Sequence, residues 1–162
     1  MFNLAILTIS DAGSSGERQD TSGDTIEDMM GSEEFNLVHR DIVPDEADLI
    51  SAKLRQWCDG GEVDLVLSTG GTGLGPRDVT PEATRAVLDI EVPGIAETMR
   101  SETLKHTSMA MLSRSVAGVR SGCLVINLPG SPKGVRECLE VAATVIPHAL
   151  GMIEGRRGHP EH

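Results

Sequence analysis

The sequence predicts an α/β protein, a three-layer α/β/α sandwich built on a mostly parallel sheet with one small antiparallel hairpin. Three observations carry that reading. Short apolar runs alternate with amphipathic stretches along nearly the whole chain, the pattern of strands joined by crossover helices. The central run, Val63, Leu65, Val66 and Leu67, is nearly continuous rather than alternating, as expected of a strand buried on both faces. Late in the chain, residues 116–120 and 123–128 meet across Ser121-Gly122, a two-residue hairpin turn. The 162 residues suit one domain, taken as 1–154, which at this size buries about 70% of its unfolded surface. The short polar tail, 155–162, reads as disordered.

Taken in order, Leu4, Ala5, Ile6, Leu7 and Ile9 form a first buried strand, broken by a polar loop from Ser10 and Asp11 to Gly16. A helix follows from about Asp24 to Met30, with Asp11 and Ser22 as turn and cap residues. Phe35, Leu37, Val38, Ile42 and Val43 make a second strand ending at Pro44, after which Asp45 reads as a helix cap. In that helix Ala47, Ile50, Leu54 and Trp57 recur at helical spacing, which puts Trp57 on a core face. The central strand then leads through Thr69-Gly70-Gly71-Thr72-Gly73-Leu74-Gly75 to a helix capped by Thr80 and begun by Pro81, with Ala83, Ala86, Val87 and Ile90 as its apolar stripe. Val92-Pro93-Gly94 interrupts it, and a further helix runs from Ile95 to about Lys105. Met99, Met109 and Met111 suit core or subunit contacts. After the hairpin, Pro129-Gly130-Ser131-Pro132-Lys133 forms a second strand-to-helix turn. The closing helix carries Val135, Cys138, Leu139, Ala142, Val145 and Ile146 past Pro147 to about Glu154.

Composition bounds the partners. Twenty-five acidic residues against 14 basic ones give a net charge of −11, which argues against nucleic acid as a partner. No apolar run is long enough for a membrane span. The start, Met1-Phe2-Asn3-Leu4, lacks the basic segment of a signal peptide, so a cytoplasmic location is expected. Cys58, Cys123 and Cys138 are odd in number and too widely spaced for paired metal ligands, and the five histidines show no i, i+4 pair. They suit buried thiols and no zinc site.

The glycine loop holds the chemistry. Glycines turn the backbone at positive φ and leave main-chain N–H groups uncovered, as close approach of a phosphate requires. No Lys follows the glycines, so this is no Walker A loop, and Pro76 stands where a dinucleotide fingerprint needs its third Gly. One cation, Arg77, and one carboxylate, Asp78, flank the loop, a combination that suits an anion beside a metal ion. For the glycines alone a tight strand-to-helix turn without a ligand is the better reading, and the Arg77-Asp-Val-Thr-Pro-Glu-Ala83 that follows reverses it.

The segment Thr69-Gly-Gly-Thr-Gly73 followed by Arg77-Asp-Val-Thr-Pro-Glu-Ala83 resembles the signature of the MogA/MoaB family of molybdenum cofactor biosynthesis proteins, a module also found in gephyrin and plant Cnx proteins. Five further segments resemble the family in the same order: Ser10-Asp11, Asp20-Thr21-Ser22-Gly23, Pro44-Asp45-Glu46, Leu112-Ser113-Arg114 and Asn127-Leu-Pro-Gly-Ser-Pro132. The resemblance implies a molybdopterin adenylyltransferase, which transfers AMP from Mg·ATP to the pterin's terminal phosphate with loss of pyrophosphate. It implies Asp45 and Asp78 as the acidic pair tied to activity, holding Mg²⁺ directly or through water. Gly70, Gly71, Thr72 and Gly73, with Thr69, would cradle a phosphate, and Ser10, Asp11, Ser113, Pro129, Gly130, Ser131 and Lys133 would meet the substrate from the facing loops. A homotrimer or hexamer and a molybdate-insertion partner belong to the same implication. The family also contains homologues that bind molybdopterin or scaffold assembly without transferring a nucleotide, and the shared motifs do not separate the two.

Overall fold

The computed structural model describes residues 1–158. Chain order is β1 (Phe2–Ile9), α1 (Asp11–Ser14), α2 (Thr21–Met30), β2 (Phe35–Val43), α3 (Ala47–Asp59), β3 (Leu65–Thr69), α4 (Thr80–Arg85), β4 (Ile90–Glu91), α5 (Pro93–Thr103), a 3-10 turn (Ser108–Leu112), β5 (Ala117–Arg120), β6 (Cys123–Leu128), α6 (Pro132–Ala142) and α7 (Ile146–Gly158). The strands form one sheet in the order β2-β1-β3-β6-β5-β4. Pairings β1·β2, β1·β3 and β3·β6 are parallel; β5·β6 and β4·β5 are antiparallel.

Side chains alternate across a strand, so a fully covered strand must feed two cores. Leu4 and Ile6, with Leu65, Leu67, Leu124, Ile126 and Leu128, pack under α2, α5, α6 and α7. Ala5, Leu7 and Ile9, with Val66 and Val125, pack under α3 and α4, where Ile50, Leu54, Trp57 and Val87 are buried. The three expected layers follow. Trp57 lies in the core with His39 stacked on it at 5.8 Å, and all three cysteines are buried.

Register positions the site. Thr8 pairs with both Ile42 and Thr69, and Thr69 with Leu128, so the four parallel strands end in one row. Successive crossovers run in opposite directions: α2 leads from β1 outward to β2 on one face, and α3 returns from β2 past β1 to β3 on the other. The β1/β3 boundary is thus a topological switch point, where open α/β sheets leave a crevice.

Several boundaries differ from the sequence expectation, each for a local reason. The expected loop after Ser10 contains α1, because the Ser10 hydroxyl accepts from Gly13 N and caps a single turn. Helix α2 starts at Thr21 rather than near Asp24, since Asp20 accepts from Gly23 N at 2.9 Å. Helix α4 stops at Arg85 because the following backbone finds partners on β5, through Asp89 N to Val119 O and Val92 N to Ala117 O. Ile90 is therefore a half-exposed edge-strand residue rather than part of a helical stripe, and the sheet gains a second antiparallel pairing. The closing helix is two helices, α6 ending at Ala142 and α7 opening just before Pro147, which lacks the N–H that would continue α6. Val145 in the break is exposed. Helix α7 runs beyond Glu154 to Gly158, and residues 159–162 of the tail expected to be disordered lie outside the described residues. Met99 is buried, while Met109 and Met111 are exposed.

A buried polar chain ties β6 to the layer beneath the glycine loop. The Asn127 amide donates to Ser68 Oγ at 2.9 Å and Thr84 Oγ1 at 3.1 Å and accepts from Val116 N; Thr84 in turn donates to Thr80 O. Both ends of the Asn127 amide have partners inside the protein. Asn127→Ala strands the Val116 N–H and should lower stability by about 1–3 kcal/mol. Urea unfolding should show this as a reduced midpoint at unchanged slope.

Candidate functional site

Four strand ends deliver the site: Ser10 and Asp11 after β1, Asp45 after β2, the glycine loop after β3, and Pro129 to Ser131 after β6. In the glycine loop each carbonyl from residue 70 to 73 is taken by the protein. Thr80 Oγ1 donates to Gly70 O and Thr80 N to Gly71 O, while Arg114 N donates to Thr72 O and Arg114 Nε to Gly73 O. Gly70 N is used on Leu128 O at 3.2 Å. The N–H groups of Gly71, Thr72 and Gly73 have no acceptor among the described residues. Positive φ at Gly70 (101°) and Gly71 (69°) makes this arrangement, and a Cβ at Gly70 would collide with the Ile9 carbonyl oxygen. Only glycine fits there.

The turn after β6 repeats the logic. Thr69 Oγ1 donates to Pro129 O and Ser22 Oγ to Gly130 O, leaving the Gly130 and Ser131 N–H groups without acceptors among the described residues. The Ser131 hydroxyl caps α6 by accepting from Gly134 N, so the N-terminal end of that helix, with its partial positive charge, faces the glycine loop.

Three expected capping roles change. Thr80 is the first residue of α4, and its hydroxyl fastens the loop instead of the helix end. Asp45 does not cap α3, whose N-cap is Glu46. Ser22 sits inside α2 and reaches the β6 turn instead of acting as a cap.

Carboxylates gather at the loop. Asp45 Oδ2 accepts from Asp11 N at 2.9 Å and Asp11 Oδ1 from Asp45 N at 3.0 Å, while Arg77 grips Asp11 through Nε and Nη2. That grip holds the Asp11 carboxyl below its ordinary range. Asp45 is pushed above its ordinary range, by burial first and then by the charges of Asp11 and Asp78, with the Asp11 N–H opposing. Asp45 Oδ1 would lie 3.1 Å from a Cβ on Gly71, and Asp78 Oδ2 3.0 Å from one on Gly73, so the two carboxylates flank the loop. Asp78 Oδ2 also accepts from Gly75 N. Crowded, partly desolvated oxygens of this kind fit a hard divalent cation. Among the described residues no group of three or more His, Cys, Asp or Glu is placed to enclose a metal, so water and ligand oxygens would complete its shell.

Two cavities open on either side of the loop. One, of about 570 Å³, is lined by Ser10, Arg18, Asp20, Asp45, Thr69 and Gly70 among others; the second, of about 400 Å³, by Thr72, Gly73, Arg100, Ser113, Pro129 and Glu137. Gly71, Asp78, Gly130 and Ser131 border both. Of the expected residues, Asp11 and Lys133 line neither cavity, and Arg77, expected beside an anion, is committed to Asp11. The Lys133 side chain is 81% exposed, with its Nζ 4.0 Å from Glu137 Oε1 at the edge of the smaller cavity. Arg18, Arg100 and Glu137 carry no signal in the sequence, since nothing local marks a lone charge that only chain crossing brings to a cavity. Asp20 belongs to the Asp20-Thr21-Ser22-Gly23 segment; its role at the cavity appears only through Thr8, which donates to it, and Arg40, which bridges it to Asp24 and Glu27. Cys138 borders the smaller cavity, but burial and the Glu137 charge push its thiol up to about 11, which leaves it a poor nucleophile.

These features are those of an α/β crevice that holds anionic ligands on backbone amides beside a carboxylate pair. Residues 5–148 match the family model described as "Probable molybdopterin binding domain". The chain is 44% identical to the molybdopterin adenylyltransferase of Helicobacter pylori strain J99, over 95% of this chain and 89% of that one. It is also 44% identical, over 94% of its length, to the molybdenum cofactor synthesis protein cinnamon of Drosophila melanogaster, of which it spans 26%. The crystal structure of the molybdopterin biosynthesis enzyme MoaB from Thermus thermophilus superposes with a TM-score of 0.91 at 54% identity, covering 96% of this chain and 98% of that one. The chain belongs to this molybdenum cofactor biosynthesis domain family.

Arg114 is the loop's tether: besides Thr72 O and Gly73 O it donates to Asp78 O at 2.9 Å and pairs with Glu82. Arg114 holds the Glu82 carboxyl below its ordinary value. A lowered folded value means the pair's stabilisation is complete above the ordinary glutamate range and is lost as pH falls through the lowered one. Arg114→Met should therefore flatten the acid side of the stability–pH profile in thermal melts. Amide exchange at residues 71–73 should also quicken.

Proposed function

We propose that the protein is a molybdopterin adenylyltransferase: it binds molybdopterin and Mg·ATP and joins AMP to the pterin's terminal phosphate, releasing pyrophosphate. The observation that carries this reading is the pair of cavities meeting at Gly71, Asp78, Gly130 and Ser131, which gives two ligands separate chambers and one shared wall of amides. The name of the Helicobacter relative, over nearly the full length of both chains, supports the same assignment.

In this reaction an oxygen of the pterin phosphate forms a bond to the α-phosphorus of ATP while the bond to the β-phosphate oxygen breaks. No covalent enzyme intermediate is needed, so the protein's work is positioning and charge neutralisation. The free amides of Gly71, Thr72 and Gly73 orient the phosphate oxygens, and those of Gly130 and Ser131 face them from the start of α6. Arg18 supplies a cation to the larger cavity, which is assigned to the nucleotide. Asp45 and Asp78 would hold Mg²⁺, directly or through water, and the ion would neutralise charge on the phosphates and the departing pyrophosphate.

Three finer assignments accompany the reaction. A homotrimer, alone or paired into a hexamer, accords with exposed Leu104, Met109, Met111 and Leu112, apolar side chains left uncovered around the end of α5 and the 3-10 turn. A cytoplasmic location accords with three buried, unbridged thiols. The adenylylated pterin then serves a separate molybdate-insertion partner.

Incubation with molybdopterin and Mg·ATP should yield adenylylated pterin and pyrophosphate in equal amounts. Molybdopterin binding without product would select a non-catalytic carrier, and no binding would refute the assignment. Asp78→Asn keeps an acceptor for Gly75 N and removes the charge. Pterin binding should persist while the transfer rate falls at least about tenfold, equivalent to about 1.4 kcal/mol of barrier. Unchanged turnover at saturating Mg·ATP would remove Asp78 from the mechanism.

A further inference from the structure

The smaller cavity runs from the glycine loop along one face of α6. Ser131, Gly134, Glu137 and Cys138 all line it, the spacing of residues stacked on one side of a helix. Ser131 stands at the loop end, and Glu137, six residues on, lies about 9 Å further along the axis. Opposite them α5 contributes Ala96, Met99, Arg100 and Thr103. The walls between are largely apolar.

Glu137 is the acidic side chain in this cavity that makes no hydrogen bond among the described residues. Its side chain is only 13% exposed, yet its nearest charge is Lys133 Nζ at 4.0 Å, on a side chain that is itself 81% exposed. Among the described residues no donor reaches either carboxylate oxygen. The neighbouring polar groups are committed elsewhere: Arg100 donates to Ser113 O and Ser115 O, Thr103 to Met99 O, and the Ser131 hydroxyl accepts from Gly134 N. The unbonded Glu137 oxygens still reach solvent, since among the described residues no fully buried side-chain oxygen lacks a partner. Their lone pairs are open to donors that a ligand brings.

A pterin ring carries such donors. Its N3–H and 2-amino group lie side by side in one plane, two parallel N–H bonds matched to the two oxygens of a carboxylate, as in an arginine–carboxylate fork. A pterin whose phosphate sits on the glycine-loop amides extends its ring along α6 toward Glu137. We infer that Glu137 is the specificity-determining residue of the pterin chamber, accepting both N–H bonds of the ring's 2-amino, N3–H edge. This inference rests on the molybdopterin reading of the site. It implies a selectivity: a 2,4-dioxopteridine such as lumazine would turn a carbonyl oxygen toward the carboxylate in place of the amino group and be repelled.

Glu137→Gln keeps the shape and replaces one acceptor oxygen with a donor that opposes the ring's own N–H. The dissociation constant for molybdopterin should rise at least about tenfold, with that for Mg·ATP unchanged within about twofold and the same melting temperature. In competition against molybdopterin, pterin should displace it more readily than lumazine on the wild-type protein, and that preference should vanish in Glu137→Gln. Glu137→Ala, which removes the acceptor without adding a donor, should weaken molybdopterin in the same direction. Equal molybdopterin affinity in wild type and Glu137→Gln, or no preference of the wild type for pterin over lumazine, overturns the role of Glu137 and leaves adenylyl transfer standing. Failure of the wild type to bind molybdopterin at all overturns the pterin reading itself.

Discussion

The structure depends on a loop whose carbonyls are fastened while three of its amides, at Gly71, Thr72 and Gly73, have no acceptor among the described residues. Thr80 and Arg114 take the four carbonyl oxygens from Gly70 to Gly73, and three successive N–H groups are left facing the crevice. Backbone polar groups buried in a fold are normally paired, so a run of donors without acceptors among the described residues, on a turn whose carbonyls are all paired, has the chemistry to receive an anion. Its orientation is set by bonds on the far side of the peptide planes. No rearrangement is therefore needed when an anion arrives, which is the condition for electrostatic stabilisation in a reaction that moves charge between phosphates.

That local device reconciles two facts that otherwise conflict: a chain carrying a net charge of −11 and a site suited to polyanions. Long-range repulsion is screened within about 10 Å at ordinary salt, whereas fixed N–H dipoles and a helix N-terminus act at contact distance. The carboxylates of Asp45 and Asp78 add negative charge at the place where phosphate charge accumulates, and burial raises the cost for Asp45. A divalent cation between them would offset that charge, as the proposed reaction asks. Charge, amides and acids thus form one arrangement.

The sheet makes the arrangement possible. Four parallel strands in register end in one row, so loops distant in sequence meet: Asp11 exchanges two backbone-to-carboxylate bonds with Asp45, and Ser22 reaches Gly130. The antiparallel additions at the β5 and β4 edge serve a different end. They direct the chain back through α5 and the 3-10 turn, whose residues wall the smaller cavity, and they place Arg114 against the glycine loop.

The amino-acid sequence by itself determined the layers, the central glycine loop and the kind of chemistry it suits, because those are written in local pattern: a continuous apolar run for a doubly covered strand, glycines where φ must be positive, Ser131-Pro132 at a helix start. It could not assign Thr80 to the loop rather than a cap, or Arg77 to Asp11 rather than an anion, since both choices are made by groups that arrive from other strands. The early end of α4 was hidden for the same reason, β5 offering the backbone a partner that no local propensity reveals. Glu137 is the clearest instance. On a helical pattern it is an ordinary surface glutamate, and only the packing of α5 against α6 sets it on a cavity wall where its oxygens accept no hydrogen bond among the described residues. Tertiary structure decided which polar groups were satisfied internally, and so which remained to meet a ligand.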